Sequence, residues 1–427
     1  MEGGEILASH GLTERGRAEE LDAADGLARF RDRVVVADPG LIYVDGNSLG
    51  RLPVETVGRL GERVEEWGER LVRGWPDWID LPARVGDLLA PLIGAGPGEV
   101  VMADSTTVNL YKLAGAALDA RPGRRVIVTD AENFPTDGYV LQGLASAREA
   151  ELRLLESDPV GGPTQDDVAA ACGSGDVALV SLEHVAYRSG ALADLEGITA
   201  AAHEAGALVL WDLSHAAGSV PVGLGAARAD LAVGCTYKYL NAGPGALAYL
   251  YVRADLQEEL TSPIWGWFGQ RDQFRMGLAY DPAPSIARFL AGTPPVLDLT
   301  AAEVGIRLVA EAGVAALRTK SVALTELAVA LHDAWLAPLG FELGTPRDPA
   351  RRGGHVSLRH EEAWPICRAL IERAKVVPDF RRPDSIRIGL PPLYTRFVDA
   401  WDALDRLRRL VASGEHRAFD APPARVT

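Results

Sequence analysis

Apolar runs of strand length alternate with longer helical stretches through the middle of this chain. The runs begin near residue 99 and include EVVMAD, RRVIVTD, DVALVSLEHV, GALVLWDLSH and ADLAVGCTYKYL. Between them, TTVNLYKLAGAALD and GITAAAHEAGA have the small and apolar residues of helices that pack on a sheet. Continuous apolar strands that alternate with helices are typical of a parallel sheet covered on both faces. The pattern therefore predicts an α/β domain with a mainly parallel central sheet.

The two ends of the chain follow other patterns. Residues 14–33 are predicted as helix, LIYVDGNSLGRLP as a short strand broken by glycines, and VETVGRLGERVEEWGERL as a helix. From about residue 300 a long helix is followed by the strands GGHVSLRH and SIRIGLPPLY and by a final amphipathic helix, which indicates a smaller α+β domain. We expect an N-terminal segment, residues 1–60, that contributes to the small domain and the functional site, a large domain, residues 61–295, and a small domain, residues 296–427.

Composition and charge argue against several classes of protein, among them nucleic-acid-binding, membrane and disulfide-rich proteins. The 427 residues are 48% hydrophobic and 24% charged, with a net charge of −16. Such an acidic chain is not suited to tracking nucleic acids or anionic membranes. The N-terminus lacks the pattern of a signal peptide, and no apolar run reaches about 18 residues, so we expect a cytoplasmic protein without a membrane segment. Cys172, Cys235 and Cys367 lack the spacing of a metal site or a disulfide framework.

Polar side chains follow two neighbouring strands of the predicted sheet. Asp212 ends the strand GALVLWD, and Lys238 is predicted to close the next strand, inside an otherwise apolar stretch. The carboxyl ends of parallel strands meet at one edge, where α/β proteins bind ligands. Alone, the acid is more often a helix cap and the lysine a solvated strand end. Together they suit pyridoxal 5′-phosphate, whose aldehyde binds a lysine and whose ring nitrogen pairs with an acid.

Three further features match the same cofactor. Ser105, Thr106 and Thr107 stand at a predicted helix N-terminus, where backbone N–H groups and hydroxyls bind phosphate. Phe134 follows the strand RRVIVTD and can stack on a ring, and Arg387 can bind a carboxylate through two N–H groups. Taken singly, these features are equally explained by a helix cap, core packing and a surface ion pair. Their coincidence with the lysine and the acid favours a cofactor site.

A set of longer motifs resembles the kynureninase family. The motifs YVDGNSLGRLP, TTVNL, NFPTD, YRSG, WDLSHAAGSVPVGL, AVGCTYKYLNAGPGALAYLYV, GWFG, FLAGTPPVL and IRIGLPPLYTRF follow the family's order and spacing over roughly residues 14–412. The resemblance implies a pyridoxal-phosphate enzyme of fold type I, the fold of aspartate aminotransferase. It implies hydrolysis of L-kynurenine or 3-hydroxykynurenine to anthranilate or 3-hydroxyanthranilate and L-alanine, in tryptophan catabolism and NAD biosynthesis.

The resemblance also implies a role for each matched residue. Lys238 would be the Schiff-base lysine, Asp212 the partner of the pyridine nitrogen, and Tyr237 an acid or base that also reaches the phosphate. The other cofactor contacts that it implies are Thr106, Thr107, Phe134, Asp137, His215, Trp267 and Thr293. The substrate contacts that it implies are Arg387, Asn47, Ser48, Trp75 and Gln270. Because Trp267 and Thr293 would reach the site from the partner subunit, it further implies a homodimer with shared active sites.

Departures from the family pattern leave the substrate open. Gln270 stands where the family usually has histidine, and the tract around Trp75 is shorter than usual. A modified kynurenine or another β-substituted amino acid is therefore an alternative substrate, and a non-catalytic homologue that binds pyridoxal phosphate is a further alternative. The fold alone does not exclude an aminotransferase. A cysteine desulfurase would need a reactive thiol on a mobile loop, which none of the three cysteine contexts suggests.

Overall fold

The computed structural model describes residues 13–419. The strands are β1 (Ile42–Tyr43), β2 (Val100–Ala103), β3 (Val126–Asp130), β4 (Glu151–Leu155), β5 (Val177–Glu183), β6 (Leu208–Asp212), β7 (Leu231–Gly234), β8 (Ala248–Val252), β9 (Glu342–Leu343), β10 (His355–Arg359), β11 (Val376–Val377), β12 (Asp379–Arg381) and β13 (Ser385–Gly389). The α-helices are α1 (Arg15–Ala23), α2 (Val54–Arg70), α3 (Trp75–Trp78), α4 (Leu81–Leu89), α5 (Thr106–Asp119), α6 (Pro135–Ala147), α7 (Gln165–Cys172), α8 (Leu195–Glu204), α9 (Val296–Ala312), α10 (Val314–Leu331), α11 (Ala363–Glu372) and α12 (Phe397–Ser413).

Seven strands form the large sheet, in the order β2-β8-β7-β6-β5-β3-β4. Strands β3 to β7 run parallel to one another, whereas β8 runs antiparallel to both β7 and β2. The predicted mainly parallel central sheet is confirmed. The apolar pattern had not singled out β4, which is an edge strand with partly exposed residues, or β8.

Helices cover both faces of this sheet. Alternate strand residues pack with α4, α7, α8 and α9 on one face and with α5 and α6 on the other. Trp211 of β6 illustrates the packing, because its ring is fully buried and its indole N–H donates to the Thr199 hydroxyl of α8 at 3.1 Å. A sheet covered in this way leaves its strand ends as the open edges for binding.

The predicted smaller α+β unit is also present. Its antiparallel sheet has the order β12-β13-β10-β9, and a second core joins this sheet to α10, α11 and α12. The N-terminal segment joins the same core through Ala18 of α1 and through β1, which pairs with β11. The predicted helix over residues 14–33 was too long. Helix α1 ends at Ala23, the Asp25 carboxylate accepts the N–H of Leu27 at 2.9 Å, and Ala28–Arg33 form a 3₁₀ helix.

Helix α9 lies at the predicted boundary between the two domains. Its buried residues Leu299, Ile306 and Val309 belong to the core of the large sheet. The division into residues 1–60, 61–295 and 296–427 stays a prediction, and any boundary has to accommodate this packing.

One helical stretch, Val314–Leu339, is long and apolar enough to cross a membrane by length and composition alone. In the structure, Leu324, Leu327 and Leu331 of this stretch are buried in the core of the smaller unit. Lys320 is also buried there and forms an ion pair with Asp25 at 2.6 Å. These contacts are those of a core helix.

We expect Gly305→Ala to destabilise the fold next to Lys238. A methyl group at Gly305 of α9 would overlap the carbonyl oxygen of Leu240, two residues beyond Lys238. Overpacking of this kind typically costs about 1–3 kcal/mol of unfolding free energy. Gly143 of α6 is the matched control, because it is exposed and a methyl group there meets nothing within 4 Å. Urea unfolding should show lower stability for Gly305→Ala and unchanged or higher stability for Gly143→Ala; equal stabilities would contradict the predicted overlap.

Candidate active site

A cavity of about 210 Å³ opens at the carboxyl ends of β5, β6 and β7. This is the edge at which parallel α/β sheets bind ligands. The residues that line the cavity are Thr106, Thr107, Phe134, Thr136, Asp137, Glu183, Asp212, Ser214, His215, Tyr237 and Lys238. Eight of the residues that the sequence analysis assigned to a cofactor therefore meet in one place.

Lys238 lies in a turn beyond β7, so the prediction that it closes this strand was wrong. Strand β7 ends at Gly234, where a side chain would overlap the ring of Tyr249 on β8. The turn is closed by a hydrogen bond, in which the backbone N–H of Ala242 donates to the Thr236 carbonyl at 3.1 Å. Its geometry holds the Lys238 amine inside the cavity, with Nζ 3.3 Å from His215 Nε2 and 5.9 Å from the centre of the Phe134 ring.

Three carboxyl groups face this one amine. Asp212 ends β6 and accepts the backbone N–H of Ser214 at 2.6 Å. Asp137 is buried, and one of its oxygens, Oδ2, has no hydrogen-bond partner among the described residues. Burial and the neighbouring Asp212 raise the pKa of Asp137 well above that of a free aspartate. The same two causes raise the pKa of Glu183 well above that of a free glutamate.

His215 lies between the lysine and the smaller unit. Burial, followed by the charge of Lys238, lowers the pKa of His215 well below its usual value, so the imidazole is neutral at neutral pH. Its ring centre lies 5.7 Å from that of His355 on β10. Burial and the charge of Arg387 lower the pKa of His355 in the same way. Two neutral imidazoles therefore meet where β10 approaches the cavity.

The N-terminus of α5 lines the cavity and offers groups that can bind an anion. Thr106 and Thr107 are its first two residues and both line the cavity. Ser105 caps the helix, because its hydroxyl accepts the N–H of Val108 at 3.3 Å. The two threonine hydroxyls and the first backbone N–H groups are thus the polar groups available to a ligand.

Arg387 lies in β13 at the centre of a second polar cluster. It is 1% exposed, and its guanidinium donates to the Tyr187 carbonyl at 2.6 Å, to the Ser48 hydroxyl at 3.0 Å and to the Asp379 carboxylate. The Tyr187 ring packs edge-on against Phe134 with 5.2 Å between centres, which links this cluster to the cavity. Arg387 is therefore a buried cation and not a surface ion pair.

Two residues of the N-terminal segment complete this cluster. Asn47 is fully buried, and neither atom of its side-chain amide has a partner among the described residues. Burial and the charge of Asp379 raise the pKa of Asp45 to about 7. Buried polar groups that a folded chain leaves unpaired are available to a polar ligand.

Four of the predicted residues lie away from Lys238 within one chain. Trp75 and Thr293 line an apolar cavity of about 460 Å³ beside α2. Trp267 and Gln270 line a separate cavity of about 390 Å³ with a mixed polar and apolar lining, where the Gln270 side-chain oxygen accepts the Asp281 N–H at 2.7 Å. One protomer does not bring these residues to the Lys238 cavity.

The sequence analysis missed several residues of the two clusters. Glu183 ends β5 in register with Asp212, so the strand-end argument applied to Asp212 also holds for it. Asp45 and Asp379 carried no such signal, because they meet only when the N-terminal segment packs on the smaller unit. His355 is likewise distant in sequence from His215.

None of the three cysteines has the environment of a reactive thiol. All three cysteines are buried and unpaired. Burial raises the pKa of Cys235, which lies next to the cavity, and raises the pKa of Cys367 to about 12. Cys172 is also buried, and this raises its pKa.

Relatives of known name match nearly the whole chain. A kynureninase from Pseudomonas fluorescens is 44% identical over 409 residues, which cover 94% of this chain and 96% of the relative. This chain belongs to the kynureninase family. A kynureninase from Burkholderia pseudomallei (strain K96243) is 44% identical over 416 residues, covering 95% and 98% of the two chains. The family profile for the kynureninase C-terminal domain matches residues 317–407, and that for aminotransferase class-V matches residues 83–360.

Solved structures share the fold at lower sequence identity. A cysteine desulfurase from Thermococcus onnurineus NA1 has a TM-score of 0.78 and 20% identity, covering 90% of this chain and 98% of its own. A mutant of C-DES with glycine covalently linked to its pyridoxal-phosphate cofactor has a TM-score of 0.74 and 17% identity, covering 90% and 97%. At these identities the likeness supports the fold alone, which is the class-V form of the expected fold type I.

We expect Asp45→Asn to change how stability depends on pH. The pKa of Asp45 is about 7 in the folded protein, against an ordinary value of 3.8. The folded state therefore keeps a proton that the unfolded chain releases near pH 4, and this contribution to stability falls as pH rises toward about 7. We therefore compare the free energy of urea unfolding of Asp45→Asn with that of the parent at each pH. The difference, variant minus parent, should be larger at about pH 8 than at about pH 5.

Asp32→Asn serves as the control for that comparison, because Asp32 is exposed. Its effect on the unfolding free energy should be the same at both pH values. An Asp45→Asn profile parallel to that of the parent would contradict the raised pKa.

Proposed function

We propose that this protein hydrolyses L-kynurenine, or its 3-hydroxy form, to anthranilate, or 3-hydroxyanthranilate, and L-alanine, with pyridoxal phosphate as cofactor. The observation that carries the proposal is the Lys238 amine, enclosed with Asp212, Thr106 and Thr107 in one cavity of a chain that matches kynureninases over nearly its full length. A modified kynurenine or another β-substituted amino acid is the alternative substrate class.

The residues around Lys238 fit pyridoxal phosphate. Thr106 and Thr107 offer helix N-terminal donors to the phosphate, and Phe134 offers a ring face. Asp137 Oδ2 and His215 Nδ1 are buried without partners among the described residues, as expected of groups that complete their hydrogen bonds with a ligand. When bound, the cofactor supplies an electron sink for the carbon skeleton of an amino acid.

Each catalytic side chain has an environment that suits its proposed task. Lys238 binds the cofactor aldehyde and afterwards, as a free amine, carries a proton, which the neutral His215 at 3.3 Å permits without charge repulsion. Cys235 and burial raise the pKa of Tyr237, so its phenol keeps its proton at neutral pH and can donate it. Asp212, whose carboxyl group accepts the Ser214 N–H at 2.6 Å, is the acid proposed to pair with the cofactor ring nitrogen.

The Arg387 cluster is proposed to bind the α-carboxylate of the substrate. Arg387 is held by Ser48 and Asp379, and its Nε has no partner among the described residues. The unpaired amide of Asn47 can donate to the same ligand. With Asp45 protonated below about pH 7, this cluster carries one negative charge fewer when an anion arrives.

We propose a homodimer with shared active sites. The segment that carries Trp267 presents exposed apolar side chains, among them Trp265, Phe274 and Met276, and Trp267 itself is 40% exposed. Exposed apolar groups at this density mark interaction surfaces. In the proposed dimer, Trp267 and Thr293 of one subunit complete the Lys238 site of the other, and Trp75 and Gln270 lie near the substrate.

We place the enzyme in the cytoplasm, in the breakdown of tryptophan through kynurenine and the supply of precursors for NAD. Three free, buried cysteines suit a reducing compartment. The proposal involves neither nucleic acid nor membrane, in keeping with the net charge of −16.

Purified protein loaded with pyridoxal phosphate should convert L-kynurenine to a fluorescent anthranilate product and release L-alanine. The rates with L-kynurenine and with 3-hydroxy-L-kynurenine rank the two substrates. Lys238→Ala should lose the visible absorbance of the lysine-bound cofactor and at least ~10⁴-fold of the rate, because both the attachment and a proton carrier are gone. Cofactor binding without turnover of either substrate would overturn the proposed reaction.

Mixing two inactive variants tests the shared sites. A mixed dimer of Lys238→Ala and Trp267→Ala subunits has one site with both residues intact, so random exchange should restore about a quarter of the parent activity. A mixture of Lys238→Ala and Asp212→Asn is the control, because both residues line the same cavity of one chain and no site becomes intact. Failure of the first mixture to exceed the second would contradict sharing through Trp267.

A further inference from the structure

Glu183 is the one carboxyl of the cavity to which no role has been given so far. It ends β5 directly beside the end of β6, with Glu183 paired in register with Asp212. One of its oxygens accepts the N–H of Tyr187 at 3.1 Å, and the side chain lines the cavity that holds Lys238. Because adjacent parallel strands end at the same edge, both acids face the same enclosed space.

The groups around Glu183 have too little positive charge for every acid to ionise. Asp212 on β6, Asp137 on α6 and Asp130 on β3 are its acidic neighbours, and Lys238 is the cation that faces it. His215 lines the cavity as a neutral imidazole. If all three lining carboxyls were charged, the amine would balance only one of them, and unbalanced charge in a largely buried cavity is costly.

The hydrogen bonds indicate which acid keeps the negative charge. Asp212 accepts the Ser214 N–H in a short bond of 2.6 Å, and its side chain is also hydrogen-bonded to that of Asp137. Among the described residues, Glu183 accepts a longer hydrogen bond, from the backbone N–H of Tyr187 at 3.1 Å. The carboxylate with more donors is the better place for the charge.

We infer that Glu183 is a neutral carboxylic acid at neutral pH and acts as a positioning residue that stores a proton beside Asp212. At alkaline pH it releases this proton to solvent and becomes a second carboxylate at the ring-nitrogen end of the site. That added negative charge keeps the nitrogen of bound pyridoxal phosphate protonated to a higher pH than Asp212 alone would. This consequence, unlike the stored proton itself, rests on the proposed cofactor.

Infrared difference spectroscopy tests the stored proton directly. The spectrum of the parent minus that of Glu183→Gln at neutral pH should contain the carbonyl stretch of a protonated carboxyl, in cofactor-free and loaded protein alike. Glu132→Gln is the matched control, because Glu132 pairs with Arg188 at 2.6 Å and should remove only carboxylate bands. Loss of only carboxylate bands in Glu183→Gln would overturn the inference.

A titration of the loaded enzyme tests the positioning role. NMR of pyridoxal phosphate labelled at the ring nitrogen should show that nitrogen losing its proton about one pH unit lower in Glu183→Gln than in the parent. Glu183→Asp, which restores an ionisable acid, should recover most of the difference. An unmoved midpoint would overturn the positioning role. Failure of the parent to bind the cofactor would count against the proposed function, while the infrared result on cofactor-free protein would still decide the state of Glu183.

Discussion

The acids at the carboxyl edge of the large sheet share one amine, so ionising all of them in a largely buried cavity is costly, and the rest of the site is arranged around this limit. Asp137, Glu183 and Asp212 share the space with the single amine of Lys238. Protonation of two of the acids relieves the repulsion, since burial raises the pKa values of Asp137 and Glu183. Asp212 accepts the backbone N–H of Ser214, and a donor of this kind favours the charged form of a carboxyl group. A fixed negative group is what a cationic ring nitrogen requires opposite it.

Protonation of a buried acid also limits the negative charge in the second cluster, which surrounds Arg387. Arg387 is fully surrounded by protein, and Asp379 pairs both with it and with Arg381. A second ionised acid at Asp45 would offset the positive charge that remains for an anionic ligand, but burial and Asp379 raise the pKa of Asp45 to about 7. The binding of an anion and the protonation of Asp45 are therefore linked, because each lowers the cost of the other.

The scaffold fixes these groups because backbone and packed helices hold them on several sides. Lys238 lies on a turn that α9 supports, as the close approach of Gly305 to the Leu240 carbonyl shows. His355, Asp379 and Arg387 come from the smaller unit, and Ser48 comes from the N-terminal segment. A shift of the smaller unit against the sheet would thus change the surroundings of His215 and Arg387 together, which makes the position of this unit part of the chemistry.

The sequence by itself determined the mainly parallel sheet, the smaller α+β unit and the residues at the strand ends, since these depend on local hydrophobic period and on the rule that parallel strands end at one edge. Motifs such as NFPTD and YKYLNAGPG also pointed to the family, because each keeps its residues within one turn of chain. Only the tertiary structure decided that β7 stops four residues before Lys238, that Asp45 and Asp379 meet beside Arg387, and that Glu183 shares a cavity with Asp212 and Asp137. Those facts depend on burial and on contacts between distant segments, and protonation follows from burial, which no local pattern encodes.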